Sequence, residues 1–179
     1  QYPNLGTTDA FACVRIGDSA HPGVRSAQIT NSTMRNCRYG VLIDAIGTVG
    51  DWNRISGNVI ELNDADSIPD SGTGVLLRGG SGRVQLRQNT MRNNDGPALK
   101  QLAGTNNTLE IAGNTISGNG GGSLATSRAG LDIRQGRDIF VEGNYFTGNN
   151  GTAAANDGVS GLIDGVTTGS FACIKMTSN

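Results

Sequence analysis

Five ten-residue segments repeat one pattern along the chain: QITNSTMRNC from Gln28, RISGNVIELN from Arg54, QLRQNTMRNN from Gln85, EIAGNTISGN from Glu110 and FVEGNYFTGN from Phe140. Counted from the first aliphatic residue of each (Ile29, Ile55, Leu86, Ile111, Val141), an apolar residue stands five positions on, at Met34, Ile60, Met91, Ile116 and Phe146. Three positions on stand Ser32, Asn58, Asn89, Asn114 and Asn144, and eight positions on stand Cys37, Asn63, Asn94, Asn119 and Asn149. The anchors lie 26, 31, 25 and 30 residues apart. A helical repeat of this length needs amphipathic stretches of ten or more residues, and Gly and Asn interrupt each period before one can form. A strand rises about 3.3 Å per residue, so one period suits a coil of two or three short strands, with successive coils paired in parallel about 4.8 Å apart.

Stacked in this way, each aliphatic residue lies on its counterpart one coil away, which gives a narrow core. The Asn residues stack too, and their amides bond from coil to coil while suiting the turn backbone. A second strand column reads YGVLID, TGVLLR, PALKQL, AGLDIR and SGLIDG, with Lys100 and Asp164 able to face either in or out. The composition agrees: 28 of 179 residues are Gly and only 4% are aromatic, which suits short strands joined by many turns and not a broad globular core. The fold class expected is all-β, a right-handed parallel β-helix of about five to six coils in one domain spanning residues 1–179. Residues 1–27 form the N-terminal coil, 28–166 the central coils and 167–179 an incomplete last coil, with no amphipathic capping helix at either end.

This repeat resembles that of the pectate-lyase-like superfamily over roughly residues 8–179. The resemblance implies the architecture and leaves the activity open, because that superfamily holds pectate lyases, polygalacturonases, uronan epimerases, phage tailspike depolymerases and non-enzymatic surface proteins. The calcium-binding nonapeptide roll is a different repeat, and its Gly-Gly-x-Gly-x-Asp pattern is absent.

Some coils carry extra residues, at 64–71, 120–128 and 150–160, whereas others turn tightly through Arg38–Gly40 and Asp95–Pro97. Insertions at one place in each coil emerge along one edge of the stack, where repeat proteins build binding faces. The plainer reading is tolerated surface loops.

Residues 7–16 (TTDAFACVRI) and 167–176 (TTGSFACIKM) read as one strand repeated near both ends of the sequence. Two explanations follow: an excised piece of a longer β-helix, or copies stacked head to tail through Phe11, Cys13, Phe171 and Cys173. Within one chain Cys13 and Cys173 would lie several coils apart, on the order of 20–25 Å, beyond disulfide reach. On adjacent coils of two stacked chains they would meet. The plainer reading is three small buried cysteines, with Cys37 standing in for Asn in its column.

The superfamily's catalytic segments are missing: no Asn-Thr-Asp or Gly-His-Gly, no Asp-Pro-His and no Arg-x-Pro-x-x-Arg. His21, the single His, precedes Pro22 and reads as a surface residue, and with no Cys-x-x-Cys pair a zinc site is not expected. Asp132 and Arg134, with Arg78 and Asp44 stacked in the same column, are the candidate acid, base and carboxylate-holding groups of a lyase or hydrolase. Their plainer reading is a solvated charge column. Asp64, Asp66 and Asp70 share one insertion and are the candidate calcium ligands, on a weak spacing signal. Otherwise no cofactor is expected. Tyr39, Trp52 and Tyr145 are candidate sugar-stacking residues, whereas Phe11, Phe146 and Phe171 read as core. The sequons at Asn31, Asn106 and Asn150 are what an Asn-rich chain produces by chance.

A net charge of -1 gives no electrostatic footprint for nucleic acid. No apolar run approaches the ~18 residues of a membrane span. The leading expectation is an extracellular or surface structural protein, non-enzymatic and self-assembling head to tail into filaments. The alternatives are a carbohydrate-active fragment of the tailspike or polysaccharide-lyase kind, and a glycan-binding adhesion module.

Overall fold

In a computed structural model, the described residues are 11–17, 26–44, 52–64, 70–78, 82–102, 108–122, 130–133, 138–149, 162–163 and 173–177. They form seventeen strands and no helix. The first coil comprises β1 (Ala12–Ile16), β2 (Gln28–Thr30) and β3 (Thr33–Arg35), and the second β4 (Tyr39–Ile43), β5 (Trp52–Ser56) and β6 (Val59–Glu61). The third comprises β7 (Thr73–Leu77), β8 (Arg83–Arg87) and β9 (Thr90–Arg92), and the fourth β10 (Leu99–Gln101), β11 (Thr108–Ala112) and β12 (Thr115–Ser117). The fifth comprises β13 (Leu131–Ile133), β14 (Asp138–Glu142) and β15 (Tyr145–Thr147), followed by β16 (Leu162–Ile163) and β17 (Cys173–Thr177).

Three parallel sheets result, ordered β1-β4-β7-β10-β13-β16, β2-β5-β8-β11-β14-β17 and β3-β6-β9-β12-β15. We call them the first, second and third sheets. The expected anchors Ile29, Ile55, Leu86, Ile111 and Val141 are in register and form the interior of the second sheet, and β17 continues the register at Met176. Met34, Ile60, Met91, Ile116 and Phe146 form that of the third. Val14, Val41, Val75, Leu99 and Leu131 face them from the first sheet, in one continuous core.

The Asn columns sit at the two corners that flank the third sheet. At each corner a residue in the left-handed region precedes the ladder position: Asn31, Gly57, Gln88, Gly113 and Gly143 at one, and Asn36, Leu62, Asn93, Gly118 and Gly148 at the other. That backbone reversal turns the Asn side chain inward, and it explains the Gly and Asn enrichment, since these types tolerate positive φ best. Asn89 shows the bonding in full. Its Oδ1 accepts from the Asn58 N–H (3.0 Å) and Nδ2 (3.1 Å), and its own Nδ2 donates to Ile55 O (2.8 Å) and Asn114 Oδ1 (3.0 Å). The second ladder runs in the same way through Asn63, Asn94, Asn119 and Asn149. A buried amide left unpaired would cost about 1–3 kcal/mol, so the ladders hold the interior polar groups at little cost and fix the coil register.

Close packing of coils is also written into the first sheet. A Cβ on Gly74 would lie 2.6 Å from Ala98 O, which no side chain tolerates. Gln101 breaks the apolar rule of the interior: it lies between Leu77 and Ile133, is 0% exposed, and neither amide atom has a hydrogen-bond partner.

Two sequence expectations are corrected by the sheet assignment. The repeated FAC segments do not occupy equivalent places: β1 joins the first sheet beside β4, whereas β17 joins the second beside β14. The alternation Val-Arg-Ile or Ile-Lys-Met suits the interior of either sheet. Leu162–Ile163 already takes the first-sheet place of the sixth coil, which leaves the second-sheet place to Cys173–Thr177. Cys13, in addition, is bonded to Cys37 within the same chain, with Cα atoms 5.7 Å apart, so its sulfur is not available to Cys173 of another copy. Cys37 still holds its ladder position, its N–H donating to Asn63 Oδ1 at 3.1 Å.

Candidate functional site

Of the candidate catalytic residues, Asp132 and Arg78 map to the outer face of the first sheet, which is unlike the other two. β4 and β7 are buried at every position, as are β10 and β13. The outward column runs Arg15, Leu42, Leu76, Lys100, Asp132. Leu42 and Leu76 pack with Tyr39 in a second, small apolar cluster on this face. Tyr39, expected as a sugar-stacking ring, is therefore only 2% exposed.

Lys100 faces outward into this layer, which settles its direction. Its Nζ lies 2.6 Å from Asp70 Oδ1 and 3.5 Å from Asp132 Oδ2, with Lys100 and Asp132 at 1% and 0% side-chain exposure. The column is thus a buried ion cluster. The expected solvated charge column is corrected, because the face that would expose it is itself covered. Asp70 belongs to this cluster and is engaged by an ammonium group, not presented with Asp64 to a cation.

One step beyond the strands, Asp44 and Arg78 continue the register through backbone bonds from Asp44 N–H to Ile16 O (3.1 Å) and from Arg78 N–H to Ile43 O (2.9 Å). Arg78 grips Asp44 with two bonds, Nε to Oδ1 at 2.8 Å and Nη2 to Oδ2 at 2.7 Å, and Arg15 adds a third at 2.5 Å. The hydrogen bond from Arg78 is the main reason the Asp44 carboxyl sits below the usual carboxylate range. Partial burial opposes the shift, and the Arg15 bond and both positive charges reinforce it. Asp44 and Arg78 thus share a column as expected, but Asp132 lies in the neighbouring one with Lys100. Chemically, these acids and bases neutralise one another from coil to coil.

Arg134, Asp66, His21, Asp164 and Phe171 lie outside the described residues, as does the side chain of Cys173. Asp64 lines a small cavity of about 160 Å³ with Phe11, Asn36, Cys37 and Arg38. Phe11 is half-buried beneath the Arg38 guanidinium, 4.5 Å from its ring centroid. Among the described residues no group of three metal-ligating side chains converges.

Of the other expected sugar-stacking rings, Tyr145 is 64% exposed on the third sheet. Trp52 is half-buried on the outer face of the second sheet, with the Arg83 guanidinium 5.6 Å from its ring. On the same face lies a group that sequence reasoning passed over: Arg54, Ser56, Gln85 and Arg87 on β5 and β8 line a cavity of about 320 Å³. The signal was present in the strand alternation, since WNRIS and RVQLR put these residues on the outward positions.

A family model described as a right-handed beta helix region matches residues 12–162, and the chain belongs to that family. No curated protein and no solved structure matches the chain.

Proposed function

We propose that the protein is an extracellular structural β-helix whose copies stack end to end into a filament. The observation that carries this reading is a gradient of cover along the apolar columns. Val41, Ile55, Val75, Leu86 and Ile111 are 0–1% exposed, whereas Val14 and Ile29 of the first coil are only partly buried. Among the described residues β1, β2 and β3 each pair along one edge only. Unpaired strand edges over incompletely covered apolar side chains are a template for a further coil. Contact between unlike ends is heterologous and builds a fibre when it does not close.

Two observations support the reading. The acids and bases of the first sheet bond one another in a covered layer, as suits a stiff scaffold. The Cys13–Cys37 disulfide suits an oxidising, extracellular setting, since such bonds are rare in the cytosol. The test is negative-stain microscopy with light scattering on the native chain and on Ile29→Lys, which puts a charge on the open column. Filaments one β-helix wide in the native chain, dispersed in the variant with its β-sheet circular dichroism intact, are the expected result. A monomer at every concentration, or filaments indifferent to the substitution, overturns it.

A further inference from the structure

We infer that Lys100 and Asp70 become joined by a self-formed isopeptide bond, with Asp132 carrying the protons, which staples the third coil to the fourth. This does not depend on end-to-end stacking, because the reaction lies within one chain. Asp70 stands just ahead of β7, Lys100 on β10 and Asp132 on β13. Lys100 Nζ is 2.6 Å from Asp70 Oδ1 and 3.5 Å from Asp132 Oδ2. With the nitrogen at hydrogen-bond distance from Oδ1, the carboxyl carbon one bond beyond lies near the ~3–3.5 Å of a near-attack arrangement. Asp70 is held in place through its backbone, which sits in the left-handed region at φ 66° and accepts at its carbonyl from Thr73 Oγ1 at 2.7 Å.

The type of cation and its burial separate this cluster from the neighbouring ion pairs. In the pairs of Arg78 with Asp44, Arg87 with Glu110 and Arg92 with Glu61, the arginine side chain is between 31% and 53% exposed. A guanidinium stays protonated and offers no nucleophile. Lys100 is an amine, buried, and its outward neighbour Leu76 belongs to the apolar cluster of Leu42 and Tyr39. A lysine becomes nucleophilic once it is desolvated and relieved of a proton. Moving that proton to a carboxylate replaces two charges with none, which removal from water favours.

The Asp132 carboxylate takes one proton from the Lys100 ammonium, which frees the nitrogen lone pair. That pair attacks Asp70 Cγ, while the Asp132 acid gives its proton to an Asp70 oxygen. Asp132 then takes a second proton from nitrogen and passes it to the same oxygen, and the C–O bond breaks to release water. The three ammonium protons end in one amide N–H and one water, Asp132 is a carboxylate again, and the reaction consumes no oxidant, reductant or co-reactant. The folded ion cluster is the reactant, and the amide accumulates from it.

The experiment is intact-mass spectrometry of the purified whole chain, reduced and denatured, followed by peptide mapping. A chain lighter by one water, with a branched peptide joining Lys100 to Asp70, is the expected result. Lys100→Arg keeps the charge but offers no amine, and it should restore the full mass. Asp132→Asn should slow the loss of water by about a hundredfold. Circular dichroism of each variant separates a lost reaction from a lost fold. The full, unaltered mass of the native chain after prolonged incubation overturns the bond. So does loss of water confined to a linear peptide, as from succinimide formation at Asp95–Gly96. A branch on Asp132 in place of Asp70, or an equal rate in folded Asp132→Asn, overturns the assigned roles.

Discussion

Cys13 and Cys37, 24 residues apart in sequence, join the first strand to the corner that closes the first coil. Cys37 occupies the position filled one coil on by Asn63 and donates its N–H to that ladder, while its sulfur is held by Cys13. The ladder side chain of this coil is thus replaced by a covalent bond, at a coil where Val14 and Ile29 are only partly buried.

Closing a loop of this length by a disulfide contributes about 3 kcal/mol through the unfolded state. The Cys13→Ser, Cys37→Ser double variant should lose stability of that order in urea unfolding, with hydrogen exchange accelerated first at β1 to β3. The bond itself is checked by mass. Alkylation of the denatured, unreduced chain should label one of the three cysteines, Cys173, and all three after reduction.

Lys100 gives a sharper contrast. Replacing it with Met leaves the buried Asp132 and the partly buried Asp70 without their ammonium partner, a change that costs about 3–5 kcal/mol. The double variant Lys100→Leu, Asp132→Leu should recover most of that loss, because the outward column already holds Leu42 and Leu76. Thermal unfolding of native, single and double variants measures the coupling. A double variant no more stable than the single would show that the cluster is not replaceable by apolar packing.

Gln101 should behave in the opposite sense. Its amide is buried without a partner in a column where its neighbours are Leu77 and Ile133. Gln101→Leu removes two unsatisfied groups and extends the apolar column, and it should raise stability by about 1–2 kcal/mol. A fall in melting temperature would mean that the position cannot accept the branched side chain.

Asp44 sets an acid limit. Its carboxyl is held below the ordinary range, mainly by the Arg78 hydrogen bond. A carboxylate depressed in the folded state contributes stability that is present above its unfolded pKa, about 3.9. That contribution disappears as pH falls through the folded value. Asp44→Asn should therefore be less stable than the native chain at pH 7, by about 1 kcal/mol given the partly exposed arginines. The gap should close in unfolding curves taken below about pH 4.

How much of this was legible in the sequence can be read from individual residues. Ile29, Met34, Asn58 and Asn63 with their counterparts were identified by spacing alone and stand where that spacing put them. The corner that turns each Asn inward is local: a left-handed residue followed by an amide, repeated once per coil. Such a pattern survives in the one-dimensional record because every coil must solve the same backbone problem with the same few residue types.

Other features were decided only when the coils were stacked. Lys100 was ambiguous because its strand alternates acceptably in either sense, and its direction followed from pairing with Leu76 and Asp132 in other coils. Tyr39 read as an exposed ring and is buried because the first sheet is covered on both faces. The two FAC segments are nearly identical in sequence and lie in different sheets, since the strands already placed in each coil determine which sheet is still open. The sequence by itself determined the repeating coil, its core and its ladders, all short-range regularities. The tertiary structure decided which cysteine meets Cys13, which acids meet Lys100 and which arginines share a face, because those contacts join residues from different coils, brought together by insertions of unequal length.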